Sequence, residues 1–176
     1  MYDLIEHYRD GGGNLAFLSA DNFFYSVRAY RDRLVGRTRW RSLGRPEAAL
    51  VGAQYAGWNE AHFPNRTFRV ANTHAAPWLF AGTGLHDGSR FGRYGIEIDR
   101  RAAASPRDTH TLAVISHEFG AGESAEMTVY RRGRATVFDA GALNFGASAH
   151  WLGVSRLVSN LWQHLSGEQS TQPPTP

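Results

Sequence analysis

The chain contains no cysteine. Disulfides, thiolate metal sites and a cysteine nucleophile are therefore excluded. It contains no lysine either, so all 19 basic residues are arginine, and no side chain can form a Schiff base or act as a tunable amine base. No apolar run approaches the roughly 18 residues of a membrane span, so no membrane role is expected. No basic segment followed by an apolar one opens the sequence, so no secretory leader is expected, and the cytoplasm is the expected location. Familiar catalytic signatures are missing as well. Gly82-Thr83-Gly84 lacks a Gly-Lys-Ser/Thr ending and reads as a tight turn. There is no Gly-x-Ser-x-Gly elbow and no His-Glu-x-x-His helix.

What remains is an ordinary soluble composition. The 176 residues are 42% apolar and 20% charged, enough for one domain with a real core. Arg28, Arg31, Arg33, Arg37, Arg39, Arg41 and Arg45 form the densest basic patch. Arg37, Arg39 and Arg41 alternate, as on one face of a strand. The net charge is only +3 and no nucleic-acid-binding motif accompanies the patch. A solvated or anion-facing arginine strip is expected; nucleic-acid binding, which would show as steep salt dependence, is not.

Met1, Leu4, Ile5 and Tyr8 recur at helical spacing, and Gly11 to Gly13 end that helix. Leu15 to Leu18 read as a buried strand. Asp21 or Asn22 then caps a helix carrying Phe23, Phe24 and Val27. Strands are expected at 37–41, 49–55, 68–71, 78–81, 94–98 and 112–115. Ala125 to Tyr130 and Ala135 to Phe138 form a hairpin around Arg131 to Gly133. Ser155 opens a helix with the stripe Leu157, Val158, Leu161, Trp162 and Leu165, ended by Gly167. The folded domain is placed over residues 1–166, and 167–176 is read as a disordered tail. The chain opens on a helix without a preceding strand. A doubly wound sheet would feed that helix from an earlier strand, so in that class the first strands would be missing.

Few residues stand out chemically. Ligands in open α/β sheets sit past the carboxyl ends of strands, the place of Asp21 and Asn22. The Asn22 amide can donate to an oxyanion or position a water; the alternative is a cap or turn. Glu126 lies in an apolar strand and could be a general base with a raised pKa; the alternative is an ion pair with an arginine. Glu97 and Asp99 face the same way, either as paired acid–base carboxylates or as a solvated strand face. His117 and Glu118 adjoin a glycine-rich loop and read as loop surface.

Asp10-Gly11-Gly12-Gly13-Asn14-Leu15-Ala16-Phe17-Leu18-Ser19-Ala20-Asp21-Asn22-Phe23-Phe24-Tyr25 resembles the Gly-Gly-Asn…Phe/Tyr-Tyr/Trp region of the N,N-dimethylformamidase large (β) subunit and bacterial proteins similar to it. The segments 44–55, 78–85, 125–128 and 137–141 continue the resemblance in order, over roughly residues 1 to 166. The resemblance implies a three-layer α/β fold similar to class I glutamine amidotransferases, without their cysteine chemistry. It implies hydrolysis of a small amide by a mononuclear iron held by two tyrosines and a glutamate, the metal acting on the carbonyl and on water. The family's His-x-Glu-Tyr-Trp-like motif and its tyrosines would lie before Met1. What the resemblance leaves to this chain are supporting residues: Asn22, Glu126 and, in place of the family's lysine, Arg41. The expectation is thus the C-terminal part of an amide hydrolase, inactive alone and completed by an upstream domain or partner subunit. The rival is a non-catalytic binding or assembly module.

Overall fold

The computed structural model describes residues 1–58, 66–94, 96–119 and 123–167, except the side chains of 117–119. It is a mixed α/β structure. Six strands form the main sheet, in the order β1 (Leu15–Phe17), β10 (Ala135–Asp139), β9 (Glu123–Arg132), β8 (His110–Phe119), β5 (Arg66–Val70) and β6 (Arg90–Tyr94). Only β1 and β10 run parallel; the other pairs are antiparallel. Two further pairs stand apart: β2 (Tyr25–Tyr30) with β3 (Arg33–Arg39), and β4 (Gln54–Trp58) with β7 (Glu97–Arg100).

One face of the main sheet carries the largest apolar cluster. Phe68, Leu112, Met127, Val129 and Phe138 pack there against Leu79 of α3 (Pro77–Phe80) and Val154, Leu157 and Leu161 of α4 (Leu152–Ser166). The His164 ring also stacks on Trp78, with centroids 3.8 Å apart. The other face is covered by α1 (Tyr2–Asp10), α2 (Glu47–Val51) and the β4–β7 pair. There the Tyr130 hydroxyl donates to the Leu50 carbonyl and accepts from Arg9. No helix among the described residues is long and apolar enough to cross a membrane.

The β9–β10 hairpin, β5, β8 and α4 form where the pattern places them. Several other elements differ, each for a local reason. After Asn22 the chain forms β2 rather than a helix: Asp21 and Phe23 have φ of 62° and 55°, which a right-handed helix cannot accept. The expected strand over 49–55 is first a helix, α2, because Glu-Ala-Ala-Leu favours helix until Gly52 turns with φ 97°. Trp78 to Ala81 fall largely in α3, which Pro77 opens at its first position. Tyr94 to Ile98 do not form one strand: Ile96 has φ 68°, and the chain passes there from the main sheet to the β4–β7 pair. β1 is an edge strand with Ala16 exposed, not a buried one. Helix α1 buries Tyr2 and Arg9, leaving Met1, Leu4 and Tyr8 outside. In α4, Trp162 of the expected stripe is 69% exposed. The tail beyond Gly167 and the loop 120–122 lie outside the described residues.

Candidate functional site

β1 ends at Phe17 directly beside Asp139, the last residue of β10. The next residues, 18–22, follow the carboxyl end of this parallel pair, the place where open α/β sheets bind ligands. The Asn22 Nδ2 lies 3.1 Å from the Ser19 carbonyl oxygen, 3.4 Å from Asp99 Oδ2 and 3.3 Å from Asp139 Oδ1. The Asp21 backbone N–H donates to Asp99 Oδ1 at 2.9 Å. Asp99 comes from β7, whose backbone N–H donates to the Gly141 carbonyl. Gly141 sits at φ 70°, and a Cβ there would meet the Glu126 carbonyl oxygen, so only glycine fits this turn. Asn22 does not cap a helix; its amide ties two strands' carboxylates together.

Asp99 and Asp139 are both fully buried. Burial pushes the carboxyls of both above their ordinary range; for Asp139 the neighbouring Asp99 charge adds to it. Hydrogen bonds from Asp21 and Asn22 pull Asp99 partly back. Two buried carboxyls in one cluster cannot both ionise cheaply. Asp21 completes the cluster. Burial, and next the Glu97 carboxylate beside it, push its carboxyl up to about 6. Asp21 Oδ1 and Asp139 Oδ2 are buried without a hydrogen-bond partner among the described residues.

Arg41 flanks this cluster. Its guanidinium grips the fully buried Glu47 at 2.8 to 3.1 Å and donates to the Tyr55 carbonyl at 3.2 Å. Both Arg41 and Glu47 act electrostatically on Asp21. Tyr55 stands opposite Asp99 in the β4–β7 register, and its phenol is raised by burial and then by Glu97 and Asp21. Glu126 is placed differently. It accepts from the Arg101 backbone N–H and Nε, at 3.2 and 3.1 Å, and from Thr111 Oγ1 at 3.2 Å. Arg41 and Arg101 line one cavity of about 410 Å³, together with Tyr55 and Arg100. Thus Arg41 is linked to the Asn22 cluster through its electrostatic action on Asp21, and Glu126 reaches the cavity wall through Arg101. Asp139 and Glu47 received no chemical reading in the sequence. The available signal for Asp139 was a carboxylate closing an apolar strand two residues before Gly141.

Among the described residues no three His, Asp or Glu side chains are placed to hold an ion. Of the buried tyrosines, Tyr2 and Tyr130 donate their hydroxyls to the carbonyls of Pro46 and Leu50, whereas the Tyr94 hydroxyl has no hydrogen-bond partner among the described residues.

No curated protein matches this chain. The sequence model of one family, described as N,N-dimethylformamidase beta subunit-like, C-terminal, matches residues 1–156. That match spans most of the 176 residues: the chain belongs to the N,N-dimethylformamidase beta subunit-like, C-terminal family.

Proposed function

We propose that the chain is the C-terminal part of a cytoplasmic amide hydrolase that cleaves the C–N bond of a small amide. In this reading it is silent alone, and an upstream domain or partner subunit supplies the metal ligands. The parallel β1–β10 pair then belongs to a three-layer fold similar to class I glutamine amidotransferases, whose first strands lie outside this chain. The single observation that carries the reading is the Asn22 amide set between two buried aspartates at the carboxyl end of a parallel strand pair. A scaffold gains little from such a cluster, since burying carboxyls is costly.

Amide hydrolysis adds water to the carbonyl carbon and breaks the C–N bond, while a proton passes from water to the departing nitrogen. A group titrating near neutrality suits that transfer. Asp21, raised to about 6 and paired with Glu97, takes this role. The Asn22 N–H groups are committed to Ser19, Asp99 and Asp139, so its Oδ1 is the atom left to orient a water. Arg41 and Arg101, the latter held by Glu126, present cations to the cavity where the carbonyl oxygen gains charge. Iron, when bound by the completed enzyme, would polarise the carbonyl.

Amine release from N,N-dimethylformamide and other small amides, measured on the chain joined to its upstream polypeptide, tests the reading. Asn22→Ala and Glu126→Ala are each expected to lower turnover about 100-fold or more. Near wild-type turnover in a folded variant would remove that residue from the site. No amine release from any small amide would favour the binding-module reading, which the exposed Leu4 and Trp162 support. The folded 176-residue chain alone should carry far less than one iron; stoichiometric iron would show that its own residues assemble a site.

A further inference from the structure

Among the described residues the β2–β3 hairpin pairs with no other strand; its two strands bond to each other. An isolated two-stranded ribbon is marginal in water unless something packs on it. It nevertheless exposes Val27, Tyr30, Leu34 and Val35, at 58% to 63% of their surface. Among these lie Arg28, Arg31, Arg33, Arg37 and Arg39, against one carboxylate, Asp32. None of the five forms an ion pair among the described residues, whereas Arg9, Arg41, Arg45, Arg100, Arg101 and Arg132 each hold a carboxylate. The whole chain carries only +3, so this ribbon concentrates charge that the rest of the chain largely neutralises.

We propose that the β2–β3 hairpin is a docking arm for another polypeptide, one that presents carboxylates around an apolar centre. Arginine beside aliphatic and aromatic side chains is the composition of protein interfaces, and opposite charge would steer the encounter. A nucleic acid fits less well. Two rings that could stack on bases are already occupied by arginines: Arg37 lies over Tyr25 at 4.7 Å and Arg39 over Phe24 at 5.0 Å. Val27, Leu34 and Val35 would gain nothing against phosphates. A second copy fits less well too, because Asp3, Glu6, Asp10, Glu123 and Glu126 are already paired with arginines of their own chain. The inference does not depend on the hydrolytic reading.

A benzophenone amino acid placed at Leu34 in the full chain, irradiated in the native cells, tests it. The expected adduct joins position 34 to a different protein, at a surface rich in aspartate and glutamate. Arg28→Glu with Arg33→Glu, which leaves every ring contact above in place, should cut the adduct at least about tenfold. Arginines introduced at the partner's carboxylates should restore it. Backbone hydrogen exchange of β2–β3 in the doubly reversed variant checks that the ribbon still forms. An adduct with nucleic acid, an adduct with a second copy, no adduct, or an adduct indifferent to charge reversal would each overturn the proposal.

Discussion

Asn22 has two N–H bonds to give and three oxygens within 3.4 Å. Its amide is therefore a shared clamp, and its value lies in holding Asp99 and Asp139 together. Asp21, one residue earlier, sits in the left-handed region at φ 62°, a conformation that Asp tolerates better than most side chains. That backbone aims its N–H at Asp99 and leaves its carboxyl beside Glu97. The Asp21 carboxyl titrates at about 6 when folded against an ordinary 3.8. A raised carboxyl favours the folded state below its unfolded pKa, and this contribution is lost as pH rises through the folded value. Asp21→Asn, which stays neutral, should thus gain stability relative to wild type as pH climbs from about 4 to about 6. Urea unfolding of both proteins across that range measures it; a pH-independent difference would refute the raised titration. Asp10 and Asp87, whose carboxyls are lowered, work the other way but do so equally in both proteins. The position of Asn22 was legible from the strand that precedes it. The burial of Asp99 was not, because alternation puts Glu97 and Asp99 on one side without saying whether water lies there.

Helix α1 shows how an amphipathic pattern can mislead at the scale of an element. Its apolar residues suggest a buried stripe, yet Leu4 is 73% exposed and Tyr2 only 1%. The packing is decided by reach and hydrogen bonding. The Tyr2 ring meets Phe23 and Trp40 edge-on or tilted, and its hydroxyl donates to Pro46. Arg9, seven residues on, donates to the Ala49 carbonyl and Tyr130. Tyr2→Ala should cost about 3 kcal/mol or more, whereas Leu4→Ala should stay within about 0.5 kcal/mol. Thermal or urea unfolding of the two variants decides which face is buried, and comparable losses would contradict this packing. The hairpin β9–β10 was readable because two β-rich runs flank a short Arg-Gly turn. β2 was not, because its departure from helix rests on two left-handed residues, Asp21 and Phe23, the first of which is tied to Asp99.

The strands of the whole molecule differ in how they are held. β8, β9 and β10 are each paired on both sides, and their side chains fill both faces of the main sheet. β2 and β3 have one partner each and a mostly exposed surface. Native-state hydrogen exchange should therefore open β2–β3 at a free energy well below that of global unfolding, with β8–β10 exchanging only through the global transition. Equal protection would mean that the hairpin is stabilised within this chain by packing not described here. The sequence by itself determined the class of this protein: an α/β chain without thiol or amine chemistry, the β9–β10 hairpin, helix α4, and the family, carried by motifs in order. These are local or compositional properties, set by residues near one another. Only the tertiary structure decided that Asp99 from β7 and Asp139 from β10 meet under Asn22, that Glu126 is held by Arg101, and that α1 buries Tyr2 and Arg9 while Leu4 and Tyr8 face outward. Those outcomes depend on contacts between residues up to 121 positions apart, and neither periodicity nor spacing encodes which distant side chain arrives.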